Sequence, residues 1–129
     1  MKNITLKLTI LLLLCFANVI LGQNKTMDSL NLALKNAKHD TIRLNISLEL
    51  CDLCEIKDNL KYGLLASSIA DRLISTSKSS REKEYYIQKK SIACDIISLY
   101  YELELNKKDS TEFYKKKVLI LPKFLKIKS

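Results

Sequence analysis

The chain has 129 residues, of which 47% are hydrophobic and 28% charged, with two glycines, one proline and no tryptophan. This composition is typical of one small globular domain and excludes a disordered or fibrous protein. So few glycines and prolines disfavour phosphate-binding loops and the many tight turns of a β-sandwich. The single histidine, His39, lies in a predicted linker, so acid–base catalysis lacks its most common residue. We therefore expect a helical protein that is not an enzyme and that holds no cofactor or metal.

The net charge of +8 is concentrated near the C-terminus. Residues 23–106 carry 12 Lys+Arg and 12 Asp+Glu, whereas residues 107–129 carry eight lysines and two acidic residues. Faces that bind nucleic acid usually concentrate arginine, whose planar guanidinium pairs with guanine and phosphate in a bidentate manner. The three arginines, Arg43, Arg72 and Arg81, are scattered along the chain. The sequence therefore predicts no nucleic-acid partner.

The first 22 residues have the order of a secretory signal peptide. A positively charged start at 1–7 precedes a mostly apolar run at 8–21, and Gly22 stands before a polar segment. The apolar run would rise about 21 Å as a helix, which is less than the roughly 30 Å hydrocarbon core of a membrane. We therefore expect cleavage and export to the periplasm or the exterior, with an uncleaved membrane anchor as the alternative.

Five helices are predicted after this leader, from apolar residues spaced three and four apart. They span residues 27–38, 40–55, 58–75, 81–105 and 109–121. The predicted caps are Thr26, Asp40 and Asp58, followed by the capping-box sequences Ser79–Glu82 and Asp109–Glu112. Pro122 is predicted to end the last helix. Short links favour antiparallel hairpins packed side by side, so the predicted fold is all-α, with a signal peptide at 1–22, a helical domain at 23–121 and a basic tail at 122–129.

The fourth predicted helix is the longest and carries two apolar stripes. One stripe contains Ala93, Ile96, Ile97, Tyr100 and Leu103, and the other contains Ile92, Leu99 and Tyr101. An apolar arc of this width predicts cover from neighbouring elements on two sides.

Three cysteines follow the leader, namely Cys51, Cys54 and Cys94. Cys51 and Cys54 have the spacing of a redox pair, but reactive pairs lie at helix N-termini, where the helix dipole lowers the thiol pKa. This pair instead falls well inside a predicted helix, so we expect buried structural cysteines. The alternatives are a disulfide between Cys94 and one of the pair, and a thiol-dependent enzyme. A zinc site lacks a second pair of ligands at finger spacing.

The two predicted hairpins share a residue pattern at an offset of 47 positions. Leu50 corresponds to Ile97, Cys51 to Ser98, Cys54 to Tyr101, Gly63 to Ser110, Ser67 to Tyr114 and Ser75 to Pro122. This order of large and small residues resembles the tetratricopeptide repeat, in which small residues let two helices approach closely. Lys117 departs from the motif where a small apolar residue is expected, and Ser47 and Ser67 replace aromatic residues.

Residues 24–121 also resemble the exported N-terminal sensor region of bacterial histidine kinases and related signalling proteins, through the stretches 27–30 and 40–43. This resemblance implies a short α–α superhelix whose first helices line a groove for a protein or peptide, and the chain would then be a truncated sensor region. The candidate groove residues are the polar ones on the first helix of each hairpin: Asn45, Glu49, Asp52, Gln88, Lys89 and Asp95. The alternative is that they form an ordinary solvated surface.

The C-terminal segment, residues 115–129, mixes apolar residues with six lysines. We expect its apolar side to dock on the last hairpin. The alternative is contact between a basic amphipathic segment and an anionic membrane surface. This alternative gives a second functional hypothesis, a small secreted helical protein that acts at a membrane.

Overall fold

In a computed structural model of the chain, the backbone of residues 2–126 is described, together with the side chains of residues 2–15, 22 and 25–117. Throughout this part of the chain the regular structure is α-helical, which confirms the predicted all-α class. The five helices are α1 (Lys2–Asn36), α2 (Asp40–Leu53), α3 (Ile56–Thr76), α4 (Ser80–Leu103) and α5 (Lys108–Lys126).

The leader and the first predicted helix form a single continuous helix, α1. Thr26 does not cap a new helix there, because its Oγ1 donates to the carbonyl oxygen of Gly22 at 2.9 Å, within α1. A threonine hydroxyl that is satisfied on the preceding turn leaves the helix uninterrupted. The predicted break at residue 26 is therefore wrong. Among the described residues, no helix contains an apolar stretch long enough to cross a bilayer.

The other helix starts lie within two residues of their predicted positions, but only one predicted cap is confirmed. The Ser79 hydroxyl accepts a hydrogen bond from the amide of Glu82 at 3.1 Å. Asp40, Asp58 and Asp109 instead lie inside the first turns of α2, α3 and α5. At this place a carboxylate favours the positive end of the helix dipole without capping an amide. Asp40 also forms salt bridges with Arg43 and Arg72, at 3.6 and 3.1 Å.

Pro122 does not end the last helix, since α5 continues to Lys126. Proline removes one backbone donor, but its fixed φ near −65° is compatible with a helix. A helix can therefore pass through a proline when one lost hydrogen bond is tolerated.

Each helix packs on the next one along the chain, and α2 also contacts α4. The core contains two clusters of buried side chains. The first joins α2, α3 and α4 through Leu44, Leu48, Ala66, Ile69, Ala70 and Ala93. The second joins Leu50, Cys51 and Tyr62 to the partly buried Met27, Leu30 and Leu34 of α1. The C-terminal third of α1 is thus part of the folded domain.

Gly63 marks the closest approach between α3 and α4. A Cβ atom at this position would lie 3.0 Å from Cγ1 of Ile97 and 3.7 Å from the carbonyl oxygen of Ala93. The repeat resemblance predicts that this small residue lies where the two helices of the first hairpin, α2 and α3, approach each other. The structure instead places it against the first helix of the following hairpin, because Gly63 lies on the side of α3 that faces α4.

Candidate functional site

Helices α2 and α4, the first helices of the two hairpins, run side by side in the same direction. Near their starts, the hydroxyls of Thr41 and Tyr86 are 2.9 Å apart. Farther along, Leu48 and Ala93 belong to one core cluster. Positions later in α2 are thus grouped with positions later in α4, an order that makes the two helices parallel.

One face of α4 is open along its length. Ile97 and Ala93 are fully buried, as predicted for the first apolar stripe. Ile92 and Leu99 of the second stripe, by contrast, are 46% and 43% exposed, and Leu103 of the first stripe is exposed too. Tyr101 of the second stripe is half-buried and stacks on Tyr114 of α5, so neighbouring helices cover each predicted stripe only in part. The reason is that α2, α3 and α5 all pack on α4 and leave a fourth side uncovered.

The open apolar residues of α4 form a line. Tyr85, Ile92 and Leu99 are exposed and stand seven positions apart, a spacing that places side chains on nearly the same side of a helix. On the neighbouring helix, Ile42 and Leu53 are also exposed. We call this surface the α2/α4 face; it comprises these five side chains and the polar residues between them.

The six groove residues predicted from the sequence lie on these two helices. Asn45, Glu49, Asp52, Gln88 and Asp95 are exposed, and Lys89 is half-buried. The structure brings two of them together around one aromatic ring. The hydroxyl of Tyr85 donates to Oδ1 of Asn45 at 3.2 Å, and Nζ of Lys89 lies 5.3 Å from the centroid of the same ring.

Tyr85 is the residue of this face that the sequence analysis missed. It lies in the first turns of α4, where charged residues dominate and hide the apolar stripe that begins later. The signal that reveals it is the seven-residue spacing back from Ile92. The ring gives the α2/α4 face a cation–π contact and a hydrogen bond across the two helices.

The three acidic candidates lie next in sequence to, or between, residues that belong to or pack against the two core clusters. Glu49 follows Leu48, which shares a cluster with Ala93, and Asp52 follows Cys51, which shares the other cluster with Ile96. Asp95 lies between these two α4 positions. In the part of the chain described by the structure, no group of acidic, histidine or cysteine side chains is arranged to hold a metal ion, so this acidic region is a surface feature.

The charges along the face are unevenly distributed. The last ten of the fourteen residues of α2, from residue 44 to Leu53, contain no lysine or arginine, and neither does α4 after Lys90. Lys90 itself forms a salt bridge with Asp71 of α3. The α2/α4 face therefore carries basic and aromatic groups near the helix starts and negative charge near the helix ends.

The three cysteines that follow the predicted leader lie in or beside the core. Cys51 and Cys94 are buried, Cys54 is half-buried, and all are free, so the predicted burial is confirmed for Cys51 and Cys94. Burial, together with the nearby Cys54 and Asp52, raises the pKa of Cys51 to about 12. Burial also raises the pKa of Cys54, whose Sγ donates to Oδ1 of Asn59 at 3.0 Å. These thiols pack and donate hydrogen bonds, and they lack the thiolate character of a redox pair.

In the basic C-terminal segment, the described side chains are those of residues 115–117, which lie in α5. Nζ of Lys117 lies 4.8 Å from the ring centroid of Phe113 and 5.7 Å from that of Tyr114. Lys117, where the repeat motif expects a small apolar residue, thus places its ammonium group within cation–π distance of two rings. The predicted docking of the tail depends on side chains from residue 118 onward, which lie outside the described residues.

Comparison with protein-family models, with curated proteins and with solved structures finds no match to this chain.

Proposed function

We propose that this chain is a non-catalytic, exported helical-repeat module that binds a protein or peptide along the α2/α4 face. The observation that carries the proposal is the uncovered line of Tyr85, Ile92 and Leu99 on α4. Exposed apolar side chains grouped on one surface and bordered by polar residues are typical of protein-interaction sites. The resemblance to exported sensor regions adds a signalling role to this proposal.

A repeated contact supports the repeat architecture. In the first hairpin, Sγ of Cys51 lies 4.0 Å from the carbonyl oxygen of Asn59. In the second hairpin, Oγ of Ser98, the counterpart of Cys51, donates to the carbonyl oxygen of Thr111 at 3.4 Å. Asn59 and Thr111 are each the fourth residue of their helix. A small residue thus meets the first turn of the second helix in both hairpins, which supports a repeated hairpin arrangement. The two acceptors are 52 positions apart rather than 47, so the second helices do not keep the register of the sequence pattern.

Site-specific photo-crosslinking tests the proposed binding surface. A photoreactive amino acid placed at Gln88 or at Glu49 is expected to capture the same partner in the envelope fraction of the source cells. The matched control positions are Asp58 and Glu112, which are also exposed but lie on α3 and α5. Equal capture from all four positions, or from the control positions alone, would show that the α2/α4 face is not the binding surface.

One observation favours the membrane-surface hypothesis as a second candidate function. Phe113 is 54% exposed and stands beside three consecutive lysines at 115–117. An exposed aromatic ring with lysines around it suits an anionic lipid surface, where each lysine contributes about 1 kcal/mol. We expect such a protein to bind phosphatidylglycerol vesicles at low salt, and a variant without residues 115–129 to lose this binding. Equal vesicle binding by both proteins would remove the hypothesis.

A further inference from the structure

We infer that the partner of the α2/α4 face is a cationic, partly apolar peptide segment, in which lysine or arginine residues flank apolar side chains. This inference rests on the proposed function, because it names the chemistry of the segment that the same face would bind.

The apolar requirement follows from the exposed line on α4. Ile92 and Leu99 are separated by two helical turns, which corresponds to about 10 Å along the helix axis. Leu53 at the end of α2 and Leu103 at the end of α4 are exposed near the same end of the face. A segment carrying two or three apolar side chains along one side would cover these groups, and their removal from water favours binding.

The cationic requirement follows from the charges around this apolar line. Glu49, Asp52 and Asp95 are exposed, and neither α2 from residue 44 onward nor α4 after Lys90 contains a lysine or arginine. Other carboxylates near the helix ends already have a cation: Glu55 pairs with Lys57 at 2.8 Å, and Glu102 with Lys115 at 2.8 Å. The three carboxylates on the α2/α4 face thus present a negative potential beside an apolar surface. Charge complementarity at such a face selects a basic segment and excludes an acidic one.

Two model peptides of opposite charge provide the test. One is a fluorescein-labelled 18-residue peptide of leucine and lysine, with leucines at helical spacing; the other has glutamate in place of every lysine. In fluorescence anisotropy titrations at low salt, the lysine peptide is expected to bind at least tenfold more tightly than the glutamate peptide. Its affinity is expected to fall as salt is raised, because exposed charges are screened within about 10 Å at 0.1 M.

Charge-neutral variants locate the binding. The triple variant Glu49→Gln, Asp52→Asn, Asp95→Asn is expected to bind the lysine peptide about tenfold more weakly, since each exposed ion pair contributes a fraction of a kcal/mol up to about 1 kcal/mol. The matched control is Asp28→Asn, Asp109→Asn, Glu112→Gln, which changes the net charge equally but alters exposed residues on α1 and α5. This control is expected to bind like the unmodified protein. Thermal melts followed by circular dichroism verify that both variants are folded.

The outcomes separate this inference from the proposed function. Equal binding of the two peptides, or equal losses in the two triple variants, would overturn the cationic partner while crosslinking from Gln88 could still support a binding face. Failure of crosslinking at Gln88 and Glu49 would overturn the proposed function itself. Salt-sensitive self-association of the protein alone, abolished by removing residues 115–129, would identify the basic segment of a second copy as the occupant and would support the inferred chemistry, since this segment combines six lysines with apolar residues.

Discussion

Gly63 determines how closely α3 and α4 approach at the centre of the domain. The space where its Cβ would lie is bounded by Ile97 at 3.0 Å and Ile96 at 3.5 Å. Ile97 is fully buried, so it has little room to move in a densely packed interior. A larger residue at position 63 must therefore separate the helices or distort the Ile97 side chain.

We expect Gly63→Val to lower the free energy of unfolding by about 2 kcal/mol, because overpacking outweighs any gain in helix propensity. Urea denaturation followed by circular dichroism measures the change. Ser68→Val, at an exposed position on the same helix, is the matched control and is expected to change stability by about 0.5 kcal/mol or less. In an Ile97→Ala background most of the Gly63→Val penalty should disappear. An undiminished penalty there would show that the contact with Ile97 is not its cause.

Cys51 makes stability depend on pH in the alkaline range. Its pKa is about 12 in the folded protein, against an ordinary value of 9.0. Above pH 9 the unfolded chain loses the thiol proton while the folded chain keeps it, so stability falls as pH rises between these values. Below pH 9 both states hold the proton and the contribution is constant.

Because lysines also titrate in this range, the prediction concerns the difference between the protein and its Cys51→Ala variant. We expect the stability advantage of the unmodified protein to shrink by on the order of 2 kcal/mol between pH 8 and pH 11. Urea midpoints and slopes at several pH values measure it. A constant difference over the range would show that the Cys51 thiol ionises equally in both states.

At the scale of elements, the C-terminal third of α1 packs on the rest of the domain through a hydrogen bond and a cluster of apolar side chains. The hydroxyl of Tyr62, on α3, donates to Oδ1 of Asn31, on α1, at 2.9 Å. Tyr62 itself is buried, and Leu30 and Leu34 pack around it and Cys51. The C-terminal third of α1 therefore packs on the second core cluster, which Ile96 of α4 also contacts.

A double-mutant cycle tests this attachment. Tyr62→Phe and Asn31→Ala are each expected to lower the free energy of unfolding by about 1 kcal/mol, since each removes one partner of a partly buried hydrogen bond. Combined, they should cost about 1 kcal/mol less than the sum of the single effects. Strictly additive effects would mean that α1 does not dock on α3 through this pair.

The positions of α2 to α5 could be predicted from apolar spacing alone, but the exact caps and the continuity of α1 through Thr26 could not. Periodicity follows from burial of one helix face and is therefore visible in the sequence. Whether a side chain caps a helix depends on which other groups bind it. The carboxylate of Asp40 pairs with Arg72, a residue 32 positions away, and local sequence does not reveal this contact. The candidate face was predicted through its polar residues, while Tyr85 and the uncovered Ile92 required knowledge of which neighbours pack on α4.

At the scale of the whole molecule, the leader half of α1 differs from the rest. Its apolar side chains, including Leu8, Leu11 and Leu13, are more than half exposed. The core clusters begin only at Met27. The described side chains of residues 2–15 therefore contribute little to the stability of the folded domain.

We expect a protein that starts at Gln23 to have the same urea midpoint as the full chain within about 0.3 M, because the deleted side chains bury little surface on folding. Mass spectrometry of the exported protein from its source cells is expected to find an N-terminus at Gln23. A mature protein that retains Met1 would support the alternative of an uncleaved anchor. A large loss of stability on truncation would show that the leader is part of the folded domain.

The packing of consecutive helices on each other determines how the molecule unfolds. Because each helix packs mainly on its sequence neighbours, stability is the sum of successive interfaces, and cooperativity decays along such an array. Amide protons of α3 and α4, which have packed helices on two or more sides, should exchange with solvent most slowly, and those of α5 should exchange earlier. A partner seated across α2 and α4 would bridge non-consecutive helices and would make the array unfold as one unit.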